Sequence, residues 1–243
     1  MSDYLIETRQ LTKTYGDQTV VKDVDLHVKK GSIYGFIGRN GAGKTTFLKM
    51  ISGLSQPTSG EIEMFGYKNA QLKNVRSRIS CLIESPGLYG NMSAYDNLAV
   101  KCRLFGINDK RYIENILKTV GLSNVGKKKT KHFSLGMKQR LGIGMALVGE
   151  PDLLLLDEHT AALDPKTADK VLQITEEIVA RDNLTTLMVT HNMKNAIQYG
   201  NRLIMMDAGH VVVDIRGEEK KNLTVRDLLE KFNIESDRML LSE

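Results

Sequence analysis

"GFIGRNGAGKTT", residues 35–46, gathers Gly38, Gly41 and Gly43 around one lysine, Lys44, with Thr45 and Thr46 directly behind it. The spacing Gly38-x-x-x-x-Gly43-Lys44-Thr45 is that of a phosphate-binding loop, in which glycines let consecutive backbone N–H groups turn toward an anion. A dinucleotide-binding turn needs a third glycine where Thr46 stands, so that reading fails. The flanks agree with phosphate. Ile33 to Ile37 reads as a buried strand feeding the loop, and "KTTFLKMISGL" behind it has helical composition and stops at Gly53, so a helix offers its positive end to the loop. Lys44 is then a point charge for β- and γ-phosphates, and the Thr45 hydroxyl is a ligand for Mg²⁺.

A nucleoside triphosphate site also needs a second strand ending in carboxylates. "PDLLLLDE", residues 151–158, is a short apolar run after a proline, as fully buried parallel strands are. It delivers Asp157, placed to hold magnesium, and Glu158, placed to polarise an attacking water. A further strand, "TTLMVT" (185–190), follows a helix that Asp164 can cap, with Pro165 in its first turn and Val171, Ile174, Ile178 and Val179 on one face. Strands alternating with helices predict an α/β fold with a mainly parallel sheet.

The outer parts read more simply. In "VVKDVDLHVKKGSIYGFIG" the apolar positions mostly alternate, which predicts short strands with a hairpin at Gly31. "NRLIMMDAGHVVVDI" predicts two strands around an Ala208-Gly209 turn. The segment from about 87 to 149 is mostly helical and interrupts the sheet, so it is expected to form a helical subdomain within a single domain, residues 1–243. In the charged tail from about 217, Thr224 and Asp227 ahead of Leu228, Leu229 and Phe232 predict one short terminal helix.

Composition narrows the function classes. The chain has 243 residues, 41% of them apolar, which is ample for a core. A net charge of +5 over that length is a mild bias and does not imply a nucleic-acid partner. Two cysteines, Cys81 and Cys102, are too few for a disulfide framework or a metal cluster. No apolar run approaches the roughly 18 residues of a membrane helix, and "MSDYLIETRQ" lacks the features of a signal peptide, so a cytoplasmic location is expected.

With these motifs in order, the chain resembles an ATP-binding cassette (ABC) ATPase along nearly its whole length. The resemblance implies a P-loop NTPase (RecA-like) core with a mainly parallel sheet, an N-terminal antiparallel β subdomain and an inserted helical subdomain. Gly38, Arg39, Asn40, Gly41, Ala42, Gly43, Lys44, Thr45 and Thr46 match Walker A, and Leu153 to Glu158 match Walker B. "HFSLGMKQR" resembles the signature motif, with Ser134 and Gly136 matching and Leu135 and Met137 departing from the usual S-G-G-Q. "ALD" (162–164) matches the D-loop with Asp164, "VTHNM" places His191 as the switch histidine, and Tyr15 matches the aromatic residue that stacks on adenine. Glu84 stands where most of the family has the Q-loop glutamine, an oxygen ligand for Mg²⁺ without the amide donor. Lys44, Glu158 and His191 are the expected catalytic groups, with ATP and Mg²⁺ as cofactors.

The resemblance also implies partners. Two cassettes, alike or different, meet head to tail so that ATP on one P-loop touches the other subunit's Ser134 and Gly136. The dimer drives membrane permease subunits on separate chains, through the segment around Pro86 to Leu98, and is peripheral on the cytoplasmic face. The first half resembles bacitracin and lantibiotic exporter cassettes. The second resembles amino-acid uptake cassettes, with His159 and Ala162 where the exporters carry Pro and Gly, so a mosaic or engineered chimera that binds ATP without a cognate transporter is an alternative expectation. A soluble, non-transport ABC ATPase is another, although this chain has neither a second cassette nor a long coiled-coil insertion.

Overall fold

Two sheets face each other in the computed structural model, which describes residues 4–83, 85–160 and 163–242, with 234–242 as backbone. The smaller sheet is antiparallel. Strands β1 (Tyr4–Tyr15) and β2 (Gln18–Lys29) turn at Gly16-Asp17, β4 (Ser59–Met64) pairs with the other side of β1, and β5 (Tyr67–Lys68) lies outside it. Along β2, Val24, Leu26 and Val28 are buried and the residues between them are exposed, the period of a sheet with one dry face.

The larger sheet carries β3 (Ile33–Gly38), β6 (Ile79–Leu82), β7 (Leu153–Asp157), β8 (Thr185–Val189), β9 (Arg202–Asp207) and β10 (His210–Arg216) in the order β10-β9-β3-β8-β7-β6. All pairings are parallel except β9 with β10, which is closed by Ala208 and Gly209 at φ 42 and 88. Successive positive φ values make the tight turn whose twist suits a two-residue hairpin. The turn at Gly31 is not the expected hairpin: β2 pairs with β1, whereas β3 pairs with β8 and β9. The reason lies in burial. Strand β3 is dry on both faces and belongs inside a parallel sheet, while β2 has one wet face, so the chain turns a corner between sheets.

The faces of the large sheet serve different cores. Leu153, Leu155, Leu187, Val189, Ile204 and Met206 pack toward the small sheet and helix α1 (Lys44–Ile51). Leu154, Leu156 and Met188 point the other way, into a core shared with α2 (Ala94–Leu104), α3 (Lys110–Thr119), α4 (Leu135–Leu147) and α5 (Pro165–Asp182). On that same side Ile37, Leu203 and Met205 meet α6 (Met193–Gln198) and the C-terminal segment. That segment is more than the short helix expected. A one-turn α7 (Glu218–Lys221) precedes α8 (Val225–Ser242), an 18-residue helix opened by the reciprocal Thr224–Asp227 cap.

Candidate functional site

Parallel register brings the motifs together. Phe36 of β3 and Asp157 of β7 both lie opposite Val189 of β8, so three neighbouring strands leave the sheet at one edge. Beyond that edge the chain continues into the glycine loop, Glu158 and His191 respectively. In open α/β sheets, ligands sit outside these carboxyl ends.

The glycine loop is pressed against its neighbours at both ends. A Cβ on Gly38 (φ 148) would lie 2.1 Å from the Met206 carbonyl oxygen, and one on Gly43 (φ 95) would lie 2.3 Å from that of Val20. Only glycine fits either place. Between them Arg39, Asn40 and Gly41 are exposed, while Ala42, Gly43 and Lys44 are buried. Gly43 caps α1, and among the described residues no side-chain cap hydrogen bond occupies its first N–H groups, which leaves that end for an anion. Lys44, 4% exposed, donates to the carbonyl oxygens of Gly38 and Arg39, each at 2.9 Å. Burial holds its ammonium below the ordinary lysine value, and the charges of Glu158 and Asp157 pull it back up.

Asp157 is 2% exposed, and its Oδ1 has no hydrogen-bond partner among the described residues. Burial raises the carboxyl above its usual range; a hydrogen bond with the Thr45 side chain lowers it, Glu158 raises it, and Lys44 lowers it. A buried, unpartnered carboxylate oxygen is costly unless something positive meets it. Glu158 follows in a left-handed conformation, φ 48, with its N–H tied to the Val189 carbonyl at 3.0 Å. Its Oε1 lies 2.6 Å from Nε2 of His191, a charge-assisted hydrogen-bond distance. His191 is held between two short caps: Thr190 Oγ1 accepts from Asn192 N–H, and Asn192 Oδ1 accepts from Asn195 N–H at the start of α6, both at 3.1 Å.

Ser134 and Gly136 lie elsewhere. Ser134 caps α4, accepting from Met137 N–H at 3.3 Å, and among the described residues no hydrogen bond or ion pair joins either residue to the loop at 38–46. Gly136 packs against the start of α5, where its Cβ would stand 2.3 Å from Thr167 Cγ2. Asp164 caps that helix through Thr167 N–H at 3.1 Å, and hydrogen bonding with the Thr167 side chain, then with this N–H, holds its carboxyl below the ordinary range. Tyr15 is 52% exposed, with the Lys13 ammonium 4.7 Å from its ring centre and its hydroxyl 3.2 Å from Ser55 Oγ. Glu84 and Ala162 lie outside the described residues. A cavity of about 190 Å³ opens behind Glu158 and His191, whereas a larger one of about 1110 Å³ is lined by Lys30, Asp152 and Leu184, at the opposite ends of the strands.

Sequence reasoning passed over several residues here. His159 stood out only as a departure from family pattern, yet it is fully buried beside Glu158, both ring nitrogens lack partners among the described residues, and burial pushes it down to about 4. Asn192 was legible as a helix cap behind the histidine. Lys220 gave no signal in a charged tail, although it is 3% exposed.

Residues 21–161 match the family model described as ABC transporter. The chain is 38% identical over 242 residues to the bacitracin transport ATP-binding protein BcrA of Bacillus licheniformis, covering 98% of this chain and 78% of that one. It is 37% identical over 258 residues to the tyrosine transport ATP-binding protein of Clostridioides difficile, covering 94% and 98%. Both alignments take in both halves of the chain. Among solved structures, the dimeric post-hydrolysis state of the ATP-binding cassette MJ0796 bound to ADP and Pi superposes with a TM-score of 0.77 at 28% identity, covering 87% of this chain and 98% of that one.

Proposed function

The chain belongs to the ABC transporter family, and we propose that it is the ATP-binding and ATP-hydrolysing subunit of a transporter whose membrane-spanning parts are other chains. No helix among the described residues is long and apolar enough to cross a membrane. The observation that carries the proposal is the juxtaposition of Glu158 and His191 at 2.6 Å with the buried Asp157, beside a lysine-bearing phosphate loop.

Asp157 and Thr45 would hold Mg²⁺, since an unpartnered carboxylate oxygen and a hydroxyl are the hard donors it prefers. An ion held by these two residues would supply positive charge to offset that of the phosphates. The glycine loop and the first turn of α1 supply N–H donors to the same phosphates, and Lys44 supplies a fixed positive charge. Glu158 takes the proton of the attacking water, and His191 fixes the carboxylate that does so. Ser134, Gly136 and the N-terminus of α4, which make no hydrogen bond or ion pair with their own loop among the described residues, serve the ATP of a second cassette placed head to tail. Such a dimer works against permease subunits from the cytoplasmic face, with Tyr15 beneath the adenine ring.

Light scattering on Glu158→Gln tests this. The chain of 27.2 kDa should double in mass with Mg-ATP and not without it. Phosphate release should fall by about 10²-fold or more in that variant. A monomer under both conditions would refute the two-cassette arrangement, and unchanged phosphate release would refute the role of Glu158.

A further inference from the structure

The helix behind His191 is too short to hold itself. α6 has six residues, where an isolated helix needs about 12–15 to be even marginal in water. Its N-terminal end is fixed by the Thr190 and Asn192 caps, which flank His191 directly. At the other end, carbonyl oxygens of the last turn would lack donors. A residue from another element meets this end: Nζ of Lys220, in α7, donates to the carbonyl of Ile197 in the last turn at 2.6 Å, to that of the capping residue Tyr199 at 2.9 Å and to that of Gly200 just beyond it at 2.9 Å. Three acceptors use all three donors of an ammonium group, and a cation is favoured at a helix C-terminus. Such a lysine is expensive. Burial lowers its affinity for the proton, to about 8, with the Glu176 carboxylate pulling the other way.

The same segment reaches the nucleotide loop by a second route. Phe232 of α8, buried beside Ile37 and Ala196, lies with its ring centre 4.9 Å from the Arg39 guanidinium carbon. So α7 and α8 touch both the glycine loop and the helix that follows the histidine.

We propose that Lys220 is a positioning residue for His191: by closing the C-terminal end of α6 it fixes the imidazole against the Glu158 carboxylate. The proposal rests on the reading that Glu158 and His191 act together in ATP hydrolysis. Loss of the clamp lets α6 fray or shift, which moves His191 at its start and leaves Lys44 and the glycine loop in place. The cost then falls on turnover and not on nucleotide binding.

A double-mutant cycle decides it. Turnover by phosphate release and the ATP dissociation constant are measured for the wild-type chain, Lys220→Met, His191→Ala and the double variant, with folding checked by circular dichroism. Lys220→Met keeps the chain length and removes the donors. Turnover should fall about 10-fold or more, with the dissociation constant within about twofold, and the same change should cost less than about twofold where His191 is already alanine. An equal loss in both backgrounds, or unchanged turnover, would overturn the proposal. His191→Ala as fast as the wild type would remove the reading beneath it and the proposal with it. Should Lys220→Met not fold, the cycle is run with Lys220→Gln, whose shorter side chain and two amide N–H donors cannot meet all three carbonyls: a turnover loss confined to the background that keeps His191 supports the proposal, and an equal loss in both backgrounds overturns it.

Discussion

Lys44 is the residue on which nucleotide affinity turns. It is buried at a cost that the Glu158 and Asp157 charges partly offset. ATP at about 100 times its dissociation constant should stabilise the fold by roughly 2.7 kcal/mol, which for a domain of this size is about 5–10 °C in melting temperature. Lys44→Ala should abolish most of that shift in a thermal melt; a variant that keeps it would show that the loop is not the working site. His159 sets a different dependence. Its folded value of about 4 lies below the ordinary 6.5, so between those values the unfolded chain takes up a proton that the folded chain refuses. This contribution is therefore absent above pH 6.5, grows as pH falls, and reaches about 3 kcal/mol of lost stability near pH 4. His159→Leu should flatten the acid side of a stability profile measured by urea denaturation. An unchanged slope between wild type and variant would mean that the ring is hydrated in solution. Neither this residue nor Lys220 was legible in the sequence, because burial of a charged or titratable side chain depends on elements far away in the chain.

At the level of elements, the glycine loop and the strand before Asp157 were legible because their signals are local. A run of leucines needs no partner to be read as a dry strand, and glycines at fixed spacing announce positive φ. Strand partnership is not local. Gly31 looked like a hairpin because two apolar runs flank it, but β3 finds its partners at residues 186–189 and 202–206. The terminal helix was underestimated for a related reason, since a charged surface hides its length. The contact between α4 and α5 was also invisible, and it is testable. Gly136→Ala would press a methyl group into Thr167 Cγ2 and should cost roughly 1–3 kcal/mol of stability. Thr167→Ser, which removes that carbon and keeps the hydroxyl, should restore most of the loss in a melting experiment. A deficit left in place by the serine would assign the glycine a role other than making room.

Across the whole molecule, the large sheet is a wall shared by cores on both sides. Leu154 and Leu155 are adjacent, fully buried and turned to opposite faces. Alanine at either should cost about 2–5 kcal/mol and shift one common transition. The check is denaturation followed by circular dichroism and by tyrosine fluorescence, the chain having no tryptophan. Coincident curves are expected for both variants, and curves that separate would mean that the faces unfold independently. The order of strands in this sheet also bears on how the protein is made. Strand β3, which ends at the glycine loop, is flanked by β8 and β9, and its pairing runs as far as Met206. A ribosome that has just released the loop must still add every residue to 206, on the order of ten seconds or more at ordinary elongation rates. The nascent chain therefore carries its nucleotide loop without the full set of β3's strand partners until residue 206 has been added, and ATP can stabilise the loop only after that point.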